Sequence, residues 1–176
     1  MSFWRNFTAP FRGAFYNLTN TDPTPRMTTA NPHAIQNEGF EAWFKRQKFE
    51  HFDAGEFTSY FATERRGVRN SEPPREMWQA IVPTLRVVDA LRKHLGKPVV
   101  ILSSYRSPAY NAPIEGAARK SYHTRFMALD IAVSGHTPRE VHAVLKKWRS
   151  EGKFKGGLGL YQSFVHVDTR GYNADW

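Results

Sequence analysis

A charged side chain stands in the middle of an apolar run: Asp130 follows Ala128-Leu129 and precedes Ile131-Ala132-Val133. The run reads as a strand over Ala128 to Val133. An ionised carboxylate in such a strand is costly unless a cation or hydrogen-bond donors meet it. Whatever fold the chain adopts must therefore deliver one or the other to position 130. Phe164-Val165-His166-Val167-Asp168 makes a related demand, because its apolar flanks turn an imidazole inward. The two-residue period of a strand puts Phe164, His166 and Asp168 on one face, so Asp168 points the same way as His166.

At 176 residues the chain is long enough to bury one real core. It has no cysteine, which excludes disulfides and thiolate metal sites and leaves histidine and carboxylate as the available ligands. Lys and Arg outnumber Asp and Glu by 25 to 16, and a net charge of +9 favours anionic partners such as nucleic acid, a membrane surface or cell-wall polymers. The basic residues are spread along the chain, as on a solvated surface, and no nucleic-acid-binding motif is present, so nucleic acid is not the expected partner. No stretch approaches the ~20 apolar residues of a membrane span, and the N-terminal region lacks the apolar segment of a secretory signal. A substrate outside the cytoplasm would then have to be reached by another route.

Two parts are expected. Residues 1–36 read as an extension, first aromatic and basic (Trp4, Arg5, Phe7, Phe11, Arg12, Phe15, Tyr16), then rich in Asn, Thr and Pro up to Pro32. It is either a surface-draped tail or a docking segment for a protein partner. Residues 37–176 read as the functional domain. Two short amphipathic helices are expected between Gln36 and Arg66. Met77, Ile81, Leu85, Val88, Leu91 and Leu95 then share one helical face, with Pro83 set to kink or split that helix. Gly96-Lys97-Pro98 ends it, and Val99-Val100-Ile101-Leu102 suits a buried strand. Thr137-Pro138-Arg139-Glu140 is a capping box that opens a helix with Val141, Val144, Leu145 and Trp148 as its apolar stripe. The glycine-punctuated segment from Gly156 to Tyr161, followed by 164–168, reads as a hairpin. The expected class is α+β, a small antiparallel sheet flanked by helices.

A catalytic zinc ion needs three protein ligands and one open position. His123, in Ser121-Tyr122-His123 just before a strand, Asp130 seven residues on, and His166 in a strand that could pair with it can supply them. A His with an Asp seven positions later is common by chance; the apolar setting of Asp130 and His166 is what singles them out. Asp168 is a candidate either to hold His166 from behind, to act as general base, or to pair with Arg170. His94 fits a helix C-terminus, while His33, His136 and His142 lack converging partners. His51-Phe52-Asp53 reads as a helix entry.

Several segments together resemble the zinc D-Ala-D-Ala carboxypeptidase family, and its small bacterial and phage members most of all. They are Ser103-Ser104-Tyr105-Arg106-Ser107-Pro108-Ala109-Tyr110-Asn111, Gly116-Ala117 leading to Ser121-Tyr122-His123, Ala128-Leu129-Asp130, and Phe164-Val165-His166-Val167-Asp168-Thr169-Arg170-Gly171-Tyr172. The likeness spans roughly residues 50–176. It implies a hedgehog-like zinc peptidase fold, with His123, Asp130 and His166 as ligands of Zn2+. It implies peptidoglycan stem peptides or cross-bridges as substrate, cut by a carboxypeptidase or an endopeptidase such as a phage endolysin or virion-associated lysin. Arg106 is carried over as the residue that holds substrate or its developing oxyanion, with Tyr105 and Ser121 beside it as substrate contacts. The alternative is a structural or wall-binding virion component with a weakly active or inactive site. One departure stands out: better-known relatives carry an acidic residue three positions before the last ligand, or a histidine two before it. Here those positions are Ser163 and Phe164. Asp168 or a carboxylate from the first half of the chain would have to replace that base.

Overall fold

In a computed structural model, residues 39–114, 116, 118 and 120–176 are described. The extension expected over 1–36 and the boundary at 37 lie outside the described residues. The architecture is α+β, built around the strand that carries Asp130. That strand, β4 (Ala128–Val133), is paired on both edges, which is why five of its six residues are buried. On one side lies β3 (Val99–Ser103), antiparallel, with an irregularity after Ile101 that sets Ser103 opposite Asp130. On the other lies β6 (Val165–Asp168), also antiparallel, in a register that makes Asp130 and His166 direct partners. β5 (Gly157–Leu160) forms the expected hairpin with β6.

Three short strands complete the inventory among the described residues: β1 (Glu64–Arg65) with β2 (Val68–Arg69) as a small hairpin, and β7 (Ala174–Asp175) beside β5. The five-stranded order is β3-β4-β6-β5-β7. The pairing of β5 with β7 is parallel, so the sheet departs from the purely antiparallel one expected. The cause is topological. After β6 the chain reverses near Gly171 (φ 91°), but both edges of β6 are already taken by β4 and β5. The returning segment can add only to the outer edge of β5, which runs in its own direction.

β3 corrects a second expectation. Val99 and Ile101 are buried, yet Val100 is 51% exposed and Leu102 37%, because β3 is a sheet edge with one face in solvent. Helices cover the other face. A 3-10 helix (Arg75–Ile81) precedes the α-helix Val82–Leu95, so Pro83 splits the segment, as expected, and sits harmlessly in the first turn. Leu85, Val88 and Leu91 face the core, and Gly96 (φ 60°) closes the helix in a left-handed cap. Helix Pro138–Ser150 opens with the full capping box, Thr137 and Glu140 bonding each other's backbone.

The first half supplies an aromatic core. Helices Phe40–Arg46 and Gly55–Phe61 bring Phe40, Phe44, Phe57 and Phe61 against Trp78 and Phe126. Phe40 meets Phe61 and Trp78 edge-on, with ring centroids 5.2 and 5.4 Å away. Fully buried Phe126 (φ 52°) ties this core to the short 3-10 turn Tyr122–Arg125, which carries His123.

Candidate metal centre and cleft

Local structure fixes each side chain of the centre. Ser121 caps the 3-10 turn, its hydroxyl accepting from the His123 N–H, and the left-handed Phe126 ends the turn and feeds the chain into β4. The His123 carbonyl accepts from the backbone N–H of Arg106, tying this turn to the segment after β3. Asp130 and His166 need no such turn, since strand register alone sets them opposite one another.

The three side chains converge. His123 Nε2 lies 3.1 Å from Asp130 Oδ1 and 3.2 Å from His166 Nδ1, and His166 Nδ1 lies 2.9 Å from the same Asp130 oxygen. All three residues are buried. Their outward atoms settle what the inward atoms can be. His123 Nδ1 is 2.7 Å from the Ser104 carbonyl, which can only accept, so Nδ1 carries the hydrogen. His166 Nε2 is 3.0 Å from Asp168 Oδ2 and likewise donates. In the neutral rings, His123 Nε2 and His166 Nδ1 therefore present lone pairs towards a carboxylate oxygen. Three lone pairs facing one another demand a cation between them, and these residues could hold a metal ion.

The electrostatics favour the neutral ring at His123, while at His166 a proton on Nδ1 can stand in for the cation. Burial would raise the Asp130 carboxyl, but the adjacent His123 and His166 imidazoles and the Arg106 guanidinium hold it well below the usual carboxylate range. Burial dominates at His123 and pushes its imidazole down, towards the neutral ligand form. Burial also opposes the charged form of His166, yet its hydrogen bonds to Asp130 and Asp168 leave it raised overall.

Asp168 is completely buried behind His166, with both oxygens engaged. Oδ1 accepts from the N–H groups of Gly157 and Arg170, and the Arg170 guanidinium grips both oxygens. Burial alone would raise this carboxyl; Arg170, His166 and Gly157 together hold it well below the usual range. It faces the imidazole rather than the open space in front of it. Arg106 plays a comparable part at Asp130, its Nη2 donating to Oδ2 and its Nε to the Ser103 hydroxyl at 2.8 Å.

A profile of the family described as peptidase M15 matches residues 50–168, more than half of the chain. The chain belongs to the peptidase M15 family. Among curated relatives, "Peptidoglycan L,D-endopeptidase MepK" of Escherichia coli (strain K12) is 37% identical over 79 residues, 42% of this chain and 41% of that protein. "Probable peptidoglycan L,D-endopeptidase MepK" of Haemophilus influenzae is 32% identical over 77 residues, 40% of this chain and 39% of that protein. The chain thus spans about two fifths of the length of the curated relatives it matches. No solved structure matches it. Among the described residues, no helix is long and apolar enough to cross a membrane.

In this M15 chain His123, Asp130 and His166 open onto a cleft of about 950 Å3. Arg106 and Ser121, two of the three expected substrate contacts, line it. Tyr105 does not: it is 3% exposed, with its ring edge-on to Phe126 at 6.0 Å. It belongs to the aromatic core, while its neighbour Arg106 reaches the cleft. His51 lies beside Asp89, 3.3 Å away, outside the cleft, and His94, His136 and His142 also stay outside it. His33 lies outside the described residues. Tyr60, Glu64, Arg65, Lys120 and Trp176 are among the lining residues that escaped the sequence reading. Glu64 is exposed on β1, where a two-residue strand leaves no periodic signal to find it by.

Proposed function

We propose that the chain is a zinc-dependent peptidoglycan peptidase that hydrolyses an amide bond within stem peptides or cross-links. The observation that carries this is the convergence of His123, Asp130 and His166, with the outer nitrogens of the two imidazoles held from behind by Ser104 and Asp168. Nitrogen and oxygen atoms at 2.9–3.2 Å from one another lie a little inside the roughly 3.4 Å that separates the ligands of a tetrahedral zinc with bonds of ~2.1 Å, a spacing that small side-chain shifts would reach. A zinc ion bound there would supply Lewis acidity towards the scissile carbonyl and acidify a water.

The chain's own residues do the rest. His123 and His166 stay in fixed tautomers, their outer hydrogens donated to Ser104 and Asp168. Asp168 keeps the His166 ring in place and, with both oxygens occupied, serves as its orienting carboxylate rather than as the base. Arg106 holds the outer oxygen of Asp130, and its Nη1 has no hydrogen-bond partner among the described residues, leaving a fixed charge on the cleft wall for the substrate carbonyl. The names of the relatives support peptidoglycan as substrate and a cut within the peptide rather than at its end.

The test is direct. Purified peptidoglycan is incubated with zinc-loaded protein, and the products are separated and weighed by mass spectrometry. New peptide ends that vanish with a chelator and return with zinc support the proposal; intact peptidoglycan with the zinc-loaded protein sinks it.

A further inference from the structure

We propose that Trp176 is a substrate-contacting residue that sets specificity, its indole forming the aromatic wall of the cleft beside His166 and receiving an aliphatic stretch of the peptide. The inference rests on the peptidase reading above and names a feature of the same site. Trp176 is 48% exposed, yet fixed from four sides. Its backbone N–H donates to Leu158 and its carbonyl accepts from Leu160. Its Nε1–H donates to the Tyr161 hydroxyl at 2.9 Å. The His166 ring centroid is 5.1 Å from the indole, and the Arg170 guanidinium lies 5.0 Å over it. A large aromatic surface that is both exposed and rigid loses little freedom when a ligand covers it, which is the mark of a binding anchor.

The fold holds the indole there at some cost. β7 is only two residues long, and it is anchored by the buried Arg149, which donates to the carbonyls of Gly156 and Ala174 and pairs with Asp175. A Cβ at position 159 would come within 2.6 Å of Trp176 Nε1, so Gly159 leaves the space that the ring uses. With Nε1–H already donated to Tyr161, the exposed face offers only apolar surface. Tyr161 and Phe164, stacked at 4.3 Å, extend that surface along the cleft. The cations Arg65 and Lys120 also line the cleft. A peptide carrying methyl or methylene groups along this wall matches the chemistry.

The experiment compares zinc-loaded wild type with Trp176→Ala, Trp176→Phe and Gly159→Ala on a soluble muropeptide, following kcat and KM separately alongside zinc content and melting temperature. For Trp176→Ala we expect KM raised about tenfold or more, with zinc content unchanged and kcat within about threefold, and most of the loss recovered in Trp176→Phe. Gly159→Ala, which displaces the ring without removing it, is expected to raise KM as well. An unchanged KM in Trp176→Ala overturns the inference, as does a loss of zinc that accounts for the loss of activity. If wild type cleaves nothing, the peptidase reading fails, and calorimetric titration with the muropeptide then decides the inference. Binding weakened about tenfold by Trp176→Ala supports it. Equal binding, or none by either protein, overturns it.

Discussion

Asp130 and His166 are direct register partners on β4 and β6, and the pairing sets Oδ1 and Nδ1 2.9 Å apart. Backbone hydrogen bonding thus places two of the three inward-facing atoms, and only His123 depends on a turn. A one-residue slip of either strand would turn its own side chain to the opposite face and part the pair. The pairing is therefore the structural precondition for everything the cleft does.

Asp168→Asn tests the role of the carboxylate behind His166. The amide cannot hold the imidazole hydrogen as the carboxylate does, and Arg170 loses its partner. Zinc affinity should fall about tenfold to a hundredfold, read by competition with a chromophoric chelator. Unchanged affinity would falsify the orienting role. If Asp168 were the base instead, activity would collapse while zinc affinity stayed put.

Arg106→Met removes the donor to Asp130 Oδ2 and the fixed charge on the wall. We expect kcat/KM to drop at least ~100-fold, with zinc still bound near stoichiometry. Full activity would mean that the guanidinium only braces the strand end through Ser103.

Acid should destabilise the metal-free protein. Asp130 and Asp168 are both held well below the usual carboxylate range, so the stability they contribute is present above the unfolded value near ~4 and is lost as pH falls through their folded values. His123, pushed down by burial, acts in the same direction, because unfolding lets it take up a proton below about pH 6.5. His166 is raised and opposes them: what it contributes is present below the unfolded value and is lost as pH rises through its folded one. Below about pH 6.5 the His166 contribution is complete and no longer changes, so only losses remain, from His123 first and from the two carboxyls below about pH 4; the melting temperature of the metal-free protein should fall between about pH 6 and about pH 3, most steeply below about pH 4. A flat profile would contradict this arrangement of charges.

Gly156 tests the join between β5 and the end of β6. A Cβ there would lie 1.7 Å from the Asp168 carbonyl oxygen, and backbone cannot yield as a flexible side chain can. Gly156→Ala should cost at least ~2 kcal/mol, visible in thermal or denaturant melts. Little change in stability would mean that the two strands separate more readily than their packing implies.

The convergence of His123, Asp130 and His166 was legible in the sequence because two of them violate the apolar pattern around them, and a polar group inside a buried strand must have a reason. The capping box at Thr137 and the split at Pro83 were legible too, since both act through adjacent backbone alone. The burial of β3 was not. A β-branched run looks alike on a central and an edge strand, and only the sheet order decides that Val100 and Leu102 face solvent. Trp176 and β7 were hidden for a related reason. Two residues carry no period, and their place follows from both edges of β6 being occupied. Tyr105 was misplaced because its neighbour Arg106 does reach the cleft, and nothing in a short motif says which side chain turns inward.

The most direct measurement is the metal content of wild type against His166→Ala after dialysis with zinc, joined to X-ray absorption at the zinc edge. One zinc per wild-type chain, bound by nitrogen and oxygen without sulfur, and none retained by His166→Ala, is the predicted result. Equal zinc in both proteins, or none in either, would contradict the account.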